Sequence, residues 1–265
     1  ASWYTAPHGD VAKWLRQGSA KPPSAVRSRP SPLLDSRTTQ LSGPPVDTDV
    51  VAATIRAYDL GAPGFAARTW DHPLRQWRER LLELAGESWS GVPLRILDAG
   101  CGPGRDVAWF AARGHRVVGG DLSVGMLAEA RRRVPDGRFV RMDLRTPPFA
   151  PASFDAIWMC ASLLHLPKAH WLDVLRRCRI LLDRGCIFLS VKLGDDERFT
   201  TGGTVPDEPR FFAYVRLPEL DSLLCDAGFH VRALEPDPLQ SGHDTFVSAF
   251  ATVAQRSMGM PRPCC

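Results

Sequence analysis

From Leu94 onward the chain alternates short apolar runs with segments of helical spacing, and this alternation narrows its fold more than any other feature. Residues 94–97, 116–120, 138–141, 154–159 and 186–191 read as strands, with helices expected at 106–113, 124–133 and 168–183. In the last helix Trp171, Val174, Leu175, Cys178 and Leu182 share one face. A helix at 218–227 and strands at 229–234 and 245–253 close the pattern. Strand–helix–strand units need crossovers, which lay strands parallel and put helices on both faces. The expectation is an α/β fold with a single doubly wound, mostly parallel, seven-stranded sheet. Upstream, residues 49–58 read as a helix that Gly61, Pro63 and Gly64 should break. Residues 71–85 carry Leu74, Trp77, Leu81, Leu82 and Leu84 at the spacing of a half-buried helix.

The first strand runs into LDAGCGPGRD, residues 97–106, where three glycines and a proline stand together. Glycine costs backbone entropy, and its return is a tight turn or a close approach of backbone to ligand. In an open α/β sheet this loop lies beyond the carboxyl end of the first strand, where ligands bind. A spacing of Gly100-x-Gly102-x-Gly104 also differs from the Gly-x-Gly-x-x-Gly of dinucleotide sites.

Composition excludes several classes. The 265 residues are 44% hydrophobic and 23% charged, as a globular domain requires. No apolar run approaches the roughly 20 residues that cross a bilayer, and the first residues show no secretory pattern. The expectation is therefore a cytoplasmic protein with no membrane partner. Seven cysteines include no Cys-x-x-Cys pair, so no metal site is expected. The net charge of +4 is too small to argue for nucleic acid, and half of it falls in residues 1–50. Those first residues hold seven prolines and little periodicity, so 1–47 is expected to be a disordered or non-native extension. Residues 9–32 resemble the conceptual translation of a transfer-RNA gene, which would put the natural start near residues 46–51; an amphipathic helix at 11–15 is the rival reading. The folded domain is expected over 48–256, with a flexible tail at 257–265.

The strings carry a family resemblance. ILDAGCGPGRD (96–106) resembles the first motif of class I S-adenosylmethionine-dependent methyltransferases, and VVGGDLS (117–123), with Gly125, Met126 and Leu127, the second. RMDL (141–144) and SFDAIW (153–158) resemble the third and fourth. SLLHLP (162–167), LSVK (189–192) and RFF (210–212) are similar to a bacterial small-molecule subgroup. The resemblance spans residues 50–254 and implies S-adenosylmethionine as cofactor and a small-molecule methyl acceptor. It implies that Gly100, Cys101, Gly102 and Gly104 shape the methionine end, with Asp98 supporting the ammonium. Asp121 would accept both ribose hydroxyls, Leu122 and Met126 would flank the adenine, and Asp143 would take its amine beside Met142 and Leu144. Cys160 would also be among the residues that bind the cofactor.

Each assignment has a plainer counterpart. Asp98, Asp121 and Asp143 also suit caps or turns, and the spacing of Leu122 and Met126 suits core. His165 is placed to be a general base or a structural histidine. Lys192, with Arg198 and Arg210 near it in sequence, would receive an anionic acceptor or sit in solvent. Tyr58, Phe65 and Trp70 would lid the cofactor or simply pack. Rival functions are a nicotinamide-dependent oxidoreductase and a catalytically silent cofactor-binding module. A nucleic-acid methyltransferase would carry an Asn/Asp-Pro-Pro-aromatic motif where CASL (160–163) stands.

Overall fold

The structure is a computed structural model that describes residues 47–86, 92–202, 205–237 and 245–254. The expected extension up to residue 46 and the expected tail lie outside the described residues.

Residues of the central strands are buried on both faces, as a helix-covered parallel sheet demands. β1 (Arg95–Ala99), β2 (Arg116–Asp121), β3 (Arg138–Arg141), β4 (Phe154–Cys160) and β5 (Leu182–Leu193) run parallel in the order β3-β2-β1-β4-β5. Two later strands complete the expected seven: β9 (Phe246–Val253) lies antiparallel to β5, and β8 (Phe229–Asp237) antiparallel to β9. The strand order reverses between β1 and β4, which opens a crevice at their carboxyl ends.

Alternation along the strands sorts side chains into two cores. Ala156 and Trp158 of β4, Cys186 and Phe188 of β5 and Phe250 of β9 face one way. They meet Leu74 and helix α2 (Arg75–Gly86), and Val107 and Phe110 of α3 (Arg105–Ala111). Ile157, Met159, Ile187, Leu189, Val191, Val247 and Ala249 face the other way. There they meet α5 (Trp171–Leu181) and α6 (Leu217–Asp226). Trp158 stacks on Phe188 with ring centroids 4.0 Å apart, and Phe110 meets the Trp158 ring at 5.7 Å. A register shift between Phe154 and Ala156 puts Phe154 in the second core.

Three sequence expectations need correction. The first helix, α1, runs unbroken over Asp47–Thr69, through Gly61, Pro63 and Gly64. Pro63 removes the N–H that would pair with the Asp59 carbonyl, but α1 is held by α4 (Val124–Arg133) packed against Asp59. Second, the segment after β5 is a hairpin, β6 (Glu197–Gly202) antiparallel to β7 (Val205–Val215), so the sheet has nine strands. β7 pairs with β5 only at Lys192 and Leu193, extending the sheet past the β5 carboxyl end. Third, the expected helix at 168–183 begins as a 3-10 turn, Lys168–His170, and ends at Leu181, where β5 starts.

Candidate functional site

A cavity of about 510 Å³ opens at the crevice, between the carboxyl ends of the strands, α1 and the β6–β7 hairpin. Its floor is the glycine loop. Gly100, Gly102 and Gly104 have φ of 90°, 51° and 83°, left-handed values that let the chain leave β1 in a tight coil and enter α3. The Gly100 and Cys101 amides donate to the Gly120 carbonyl, at 2.7 and 3.0 Å, which pins the loop to β2. A Cβ on Gly100 would lie 2.2 Å from the Ser162 Cβ, so no side chain fits there.

Asp121 ends β2 on the cavity wall. Its Oδ2 accepts from the Gly102 amide at 2.8 Å and its Oδ1 from the Ser123 amide at 2.9 Å. Burial pushes its carboxyl up to about 6, against the pull of these hydrogen bonds. Beyond it, Leu122, Met126, Met142, Asp143 and Leu144 form an apolar slot with one carboxylate. Asp143 is bound by Arg145 at 2.7 Å, and Arg145 holds its carboxyl below the ordinary range although burial opposes this.

Two expected residues stand behind the wall instead of on it. Asp98 is buried, its Oδ2 makes no hydrogen bond, and burial together with Asp106 raises its carboxyl well above normal. Gly104 caps α3 with its bare Cα toward Phe139 and Ala130, so it allows packing of the loop on β3 and α4. Asp106 below is locked by Arg78 (Nε 2.6 Å), Arg105 (Nη2 2.8 Å) and the Trp158 indole (3.0 Å). Burial opposes its ionisation, but the two guanidiniums keep it lowered.

The other end of the cavity holds His165, Lys192 and Arg210. His165 follows β4 in a 3-10 turn, Leu163–His165. Its Nδ1 lies 2.7 Å from the Phe211 carbonyl, which accepts only, so Nδ1 carries the proton. Nε2 then accepts from the Tyr58 hydroxyl at 2.8 Å. Burial drives its pKa down to about 3, and Arg210 and Lys192 add to the fall. Lys192 and Arg210 are only 8% and 7% exposed. The Lys192 ammonium stands 3.6 Å from the Phe212 ring centroid. Cys160, at the β4 end, keeps a protonated thiol because burial raises it to about 11.

Of the three aromatic residues expected as a lid, Tyr58 and Phe65 line the cavity; Trp70 does not, and Arg133 covers its ring at 4.9 Å. Arg198 also stands away, paired with Asp196 and over the Tyr214 ring. Sequence reasoning missed Thr54, His72, Arg105, Ser162 and Phe246 on the wall. It also missed Asp59, whose carboxylate accepts from the Ser123 hydroxyl at 2.6 Å and the Gly125 amide at 2.8 Å. This supplements the Ser123 cap on the Met126 amide and ties α1 to the cavity wall.

Residues 96–185, which build the glycine loop and β1 to β4, match a family model described as a methyltransferase domain. That segment is therefore similar to a methyltransferase domain. The chain is 36% identical to a malonyl-[acyl-carrier protein] O-methyltransferase of Enterobacter lignolyticus, over 43% of this chain and 43% of that protein. It is 39% identical to a demethylmenaquinone methyltransferase of Beutenbergia cavernae, over 36% of this chain and 38% of that one. It thus spans less than half the length of these relatives. In fold it resembles the Burkholderia thailandensis 1,6-didemethyltoxoflavin-N1-methyltransferase, solved with its acceptor and S-adenosylhomocysteine, with a TM-score of 0.63. That likeness covers 84% of this chain and 94% of the other at 23% identity. Outside the matched segment, the described residues add α1, α2, the hairpin, α6 and the two antiparallel strands. No described helix is long and apolar enough to cross a membrane.

Proposed function

We propose that the protein transfers a methyl group from S-adenosylmethionine to a small-molecule acceptor. The observation that carries the reading is Asp121, a buried carboxylate bonded to the glycine loop and facing the cavity. Each of its oxygens keeps a lone pair beyond the one given to a backbone amide, enough to accept two ribose hydroxyls. Gly100 and Gly102 leave bare backbone for the methionine portion. Leu122, Met126 and Met142 suit the adenine, with Asp143 at its edge. Bound, the cofactor supplies an electrophilic methyl group on a sulfonium. The protein's own part is then to hold the acceptor in line and keep water out. Phe65 and Tyr58 close the α1 side, their rings edge to face at 5.4 Å. We place the reaction in the cytoplasm, where thiols such as the five described cysteines stay reduced.

The oxidoreductase alternative needs a pyrophosphate at the start of α3, where Asp106 occupies the first turn. Calorimetry separates the two readings: S-adenosylmethionine and S-adenosylhomocysteine should bind, and NAD should not. Asp121→Ala should weaken both by at least about tenfold, one net charged hydrogen bond. Unchanged affinity in that variant removes Asp121 from the site.

A further inference from the structure

Among the described residues, those at the acceptor end of the cavity are poorly placed to take a proton. His165, its natural candidate, donates through Nδ1 to the Phe211 carbonyl and accepts at Nε2 from Tyr58. Protonating it would put a third positive charge beside Arg210 and Lys192. Tyr58 accepts from Arg210 Nη1 at 3.3 Å while giving its own proton to His165, and its phenol is raised by burial. Cys160 is raised as well. The acidic residues on the cavity wall, Asp106, Asp121 and Asp143, belong to the glycine-loop and adenine sides, and His72 follows Thr69, whose carbonyl Arg105 holds at the start of α3. What this end does present is positive charge. Lys192 and Arg210 both line the cavity while more than nine-tenths buried, and Arg210 is braced by the Gly202 carbonyl at 2.9 Å. Two buried cations set among Tyr58, Phe212 and Phe246 raise the affinity of a low-dielectric pocket for an anion.

We propose that the acceptor is a small organic acid, bound as its carboxylate by Lys192 and Arg210 and methylated on a carboxylate oxygen. This rests on the methyltransferase reading above. A carboxylate is ionised near neutral pH before it binds, so it needs no base, which suits an end where His165 has both ring nitrogens engaged. One carboxylate oxygen attacks the methyl carbon; the carbon–oxygen bond forms as the carbon–sulfur bond breaks, and the bonding pair leaves with sulfur. The products are a neutral methyl ester and a neutral thioether, and no proton moves. Loss of the acceptor's charge removes its attraction to Lys192 and Arg210, which favours release.

The test uses the full chain loaded with S-adenosylhomocysteine, titrated with a panel of matched probes: benzoate, cinnamate and fumarate against their amides and methyl esters. Carboxylates should bind and raise the melting temperature, and the amides and esters should bind at least about tenfold more weakly. Arg210→Met and Lys192→Met should each reduce carboxylate affinity by about tenfold or more, leaving that of S-adenosylhomocysteine unchanged. Arg210→Lys and Lys192→Arg, which keep the charge, should recover part of it, and this pair controls for misfolding. With S-adenosylmethionine, an acid that turns over should yield a product cleaved by mild alkali. Failure of S-adenosylhomocysteine itself to bind would remove the underlying function. If it binds but no carboxylate binds better than its amide, or if the charge-removing variants behave as the parent, the acceptor assignment alone is wrong.

Discussion

His165 has both ring nitrogens engaged, and this determines how it answers to acid. In the unfolded chain it titrates near 6.5; burial among two cations lowers it to about 3 in the fold. The unfolded state therefore takes up a proton first as the pH falls. Its contribution is fully present above 6.5 and is lost as the pH drops toward 3, by at most about 1.4 kcal/mol per unit. Asp121, raised to about 6, acts in the opposite sense, adding stability as the pH falls from there to its ordinary value. The difference between parent and variant isolates the histidine. Urea unfolding of His165→Gln at pH 7, 6 and 5 should show a shallower acid loss than the parent. Parallel curves would mean that His165 charges freely in the folded state.

At the scale of elements, the join between α1 and α4 decides how the cofactor side of the cavity is held. A Cβ on Gly125 would lie 2.7 Å from the Asp59 carbonyl oxygen and 2.8 Å from its Cα, and backbone cannot swing aside. Gly125→Ala should push α1 off α4, destabilise the protein by about 1–3 kcal/mol and weaken S-adenosylhomocysteine binding. Melting curves and calorimetry would reveal it, and a variant with parental stability and affinity would show that α1 yields without loss. This join was not legible in the sequence. Residues 124–133 and 138–141 announced their own elements because local periodicity and the Ser123 cap sufficed. Gly61, Pro63 and Gly64 pointed to a break, yet tertiary packing on α4 carries the helix across them. The hairpin was hidden for a related reason: β7 is apolar through residues 211–215 because it packs on both α1 and the sheet end, so no simple alternation marks it. Asp121, Leu122, Met126 and Met142 were readable because strand ends and short loops fix them. Asp98 and Gly104 share those motifs but face inward, and only coordinates separate a residue on the wall from one behind it.

Across the whole molecule, the cavity is assembled from parts distant in the chain, and ligand binding must couple them. Thr54 of α1 receives the Phe211 amide of the hairpin at 3.0 Å, Tyr58 reaches His165 after β4, and Arg105 at the start of α3 holds the Thr69 carbonyl. A ligand bound to the native state alone stabilises it by about 2.7 kcal/mol at a hundredfold excess over Kd. For a domain of this size that is a rise of roughly 5–10 °C in melting temperature. The gain should not stay in the glycine loop. Opening α1 would expose the ligand, so α1 must close more firmly once the ligand is in place. Hydrogen exchange with and without S-adenosylhomocysteine should therefore show added protection at residues 51–58 of α1 and 210–212 of β7, as well as at 100–102. Asp121→Ala should greatly reduce all three at a ligand concentration near the parent's Kd, where a tenfold weaker site is about one-tenth occupied. Protection confined to 100–102 would mean that α1 and the hairpin are fixed walls, and that closure plays no part in excluding water.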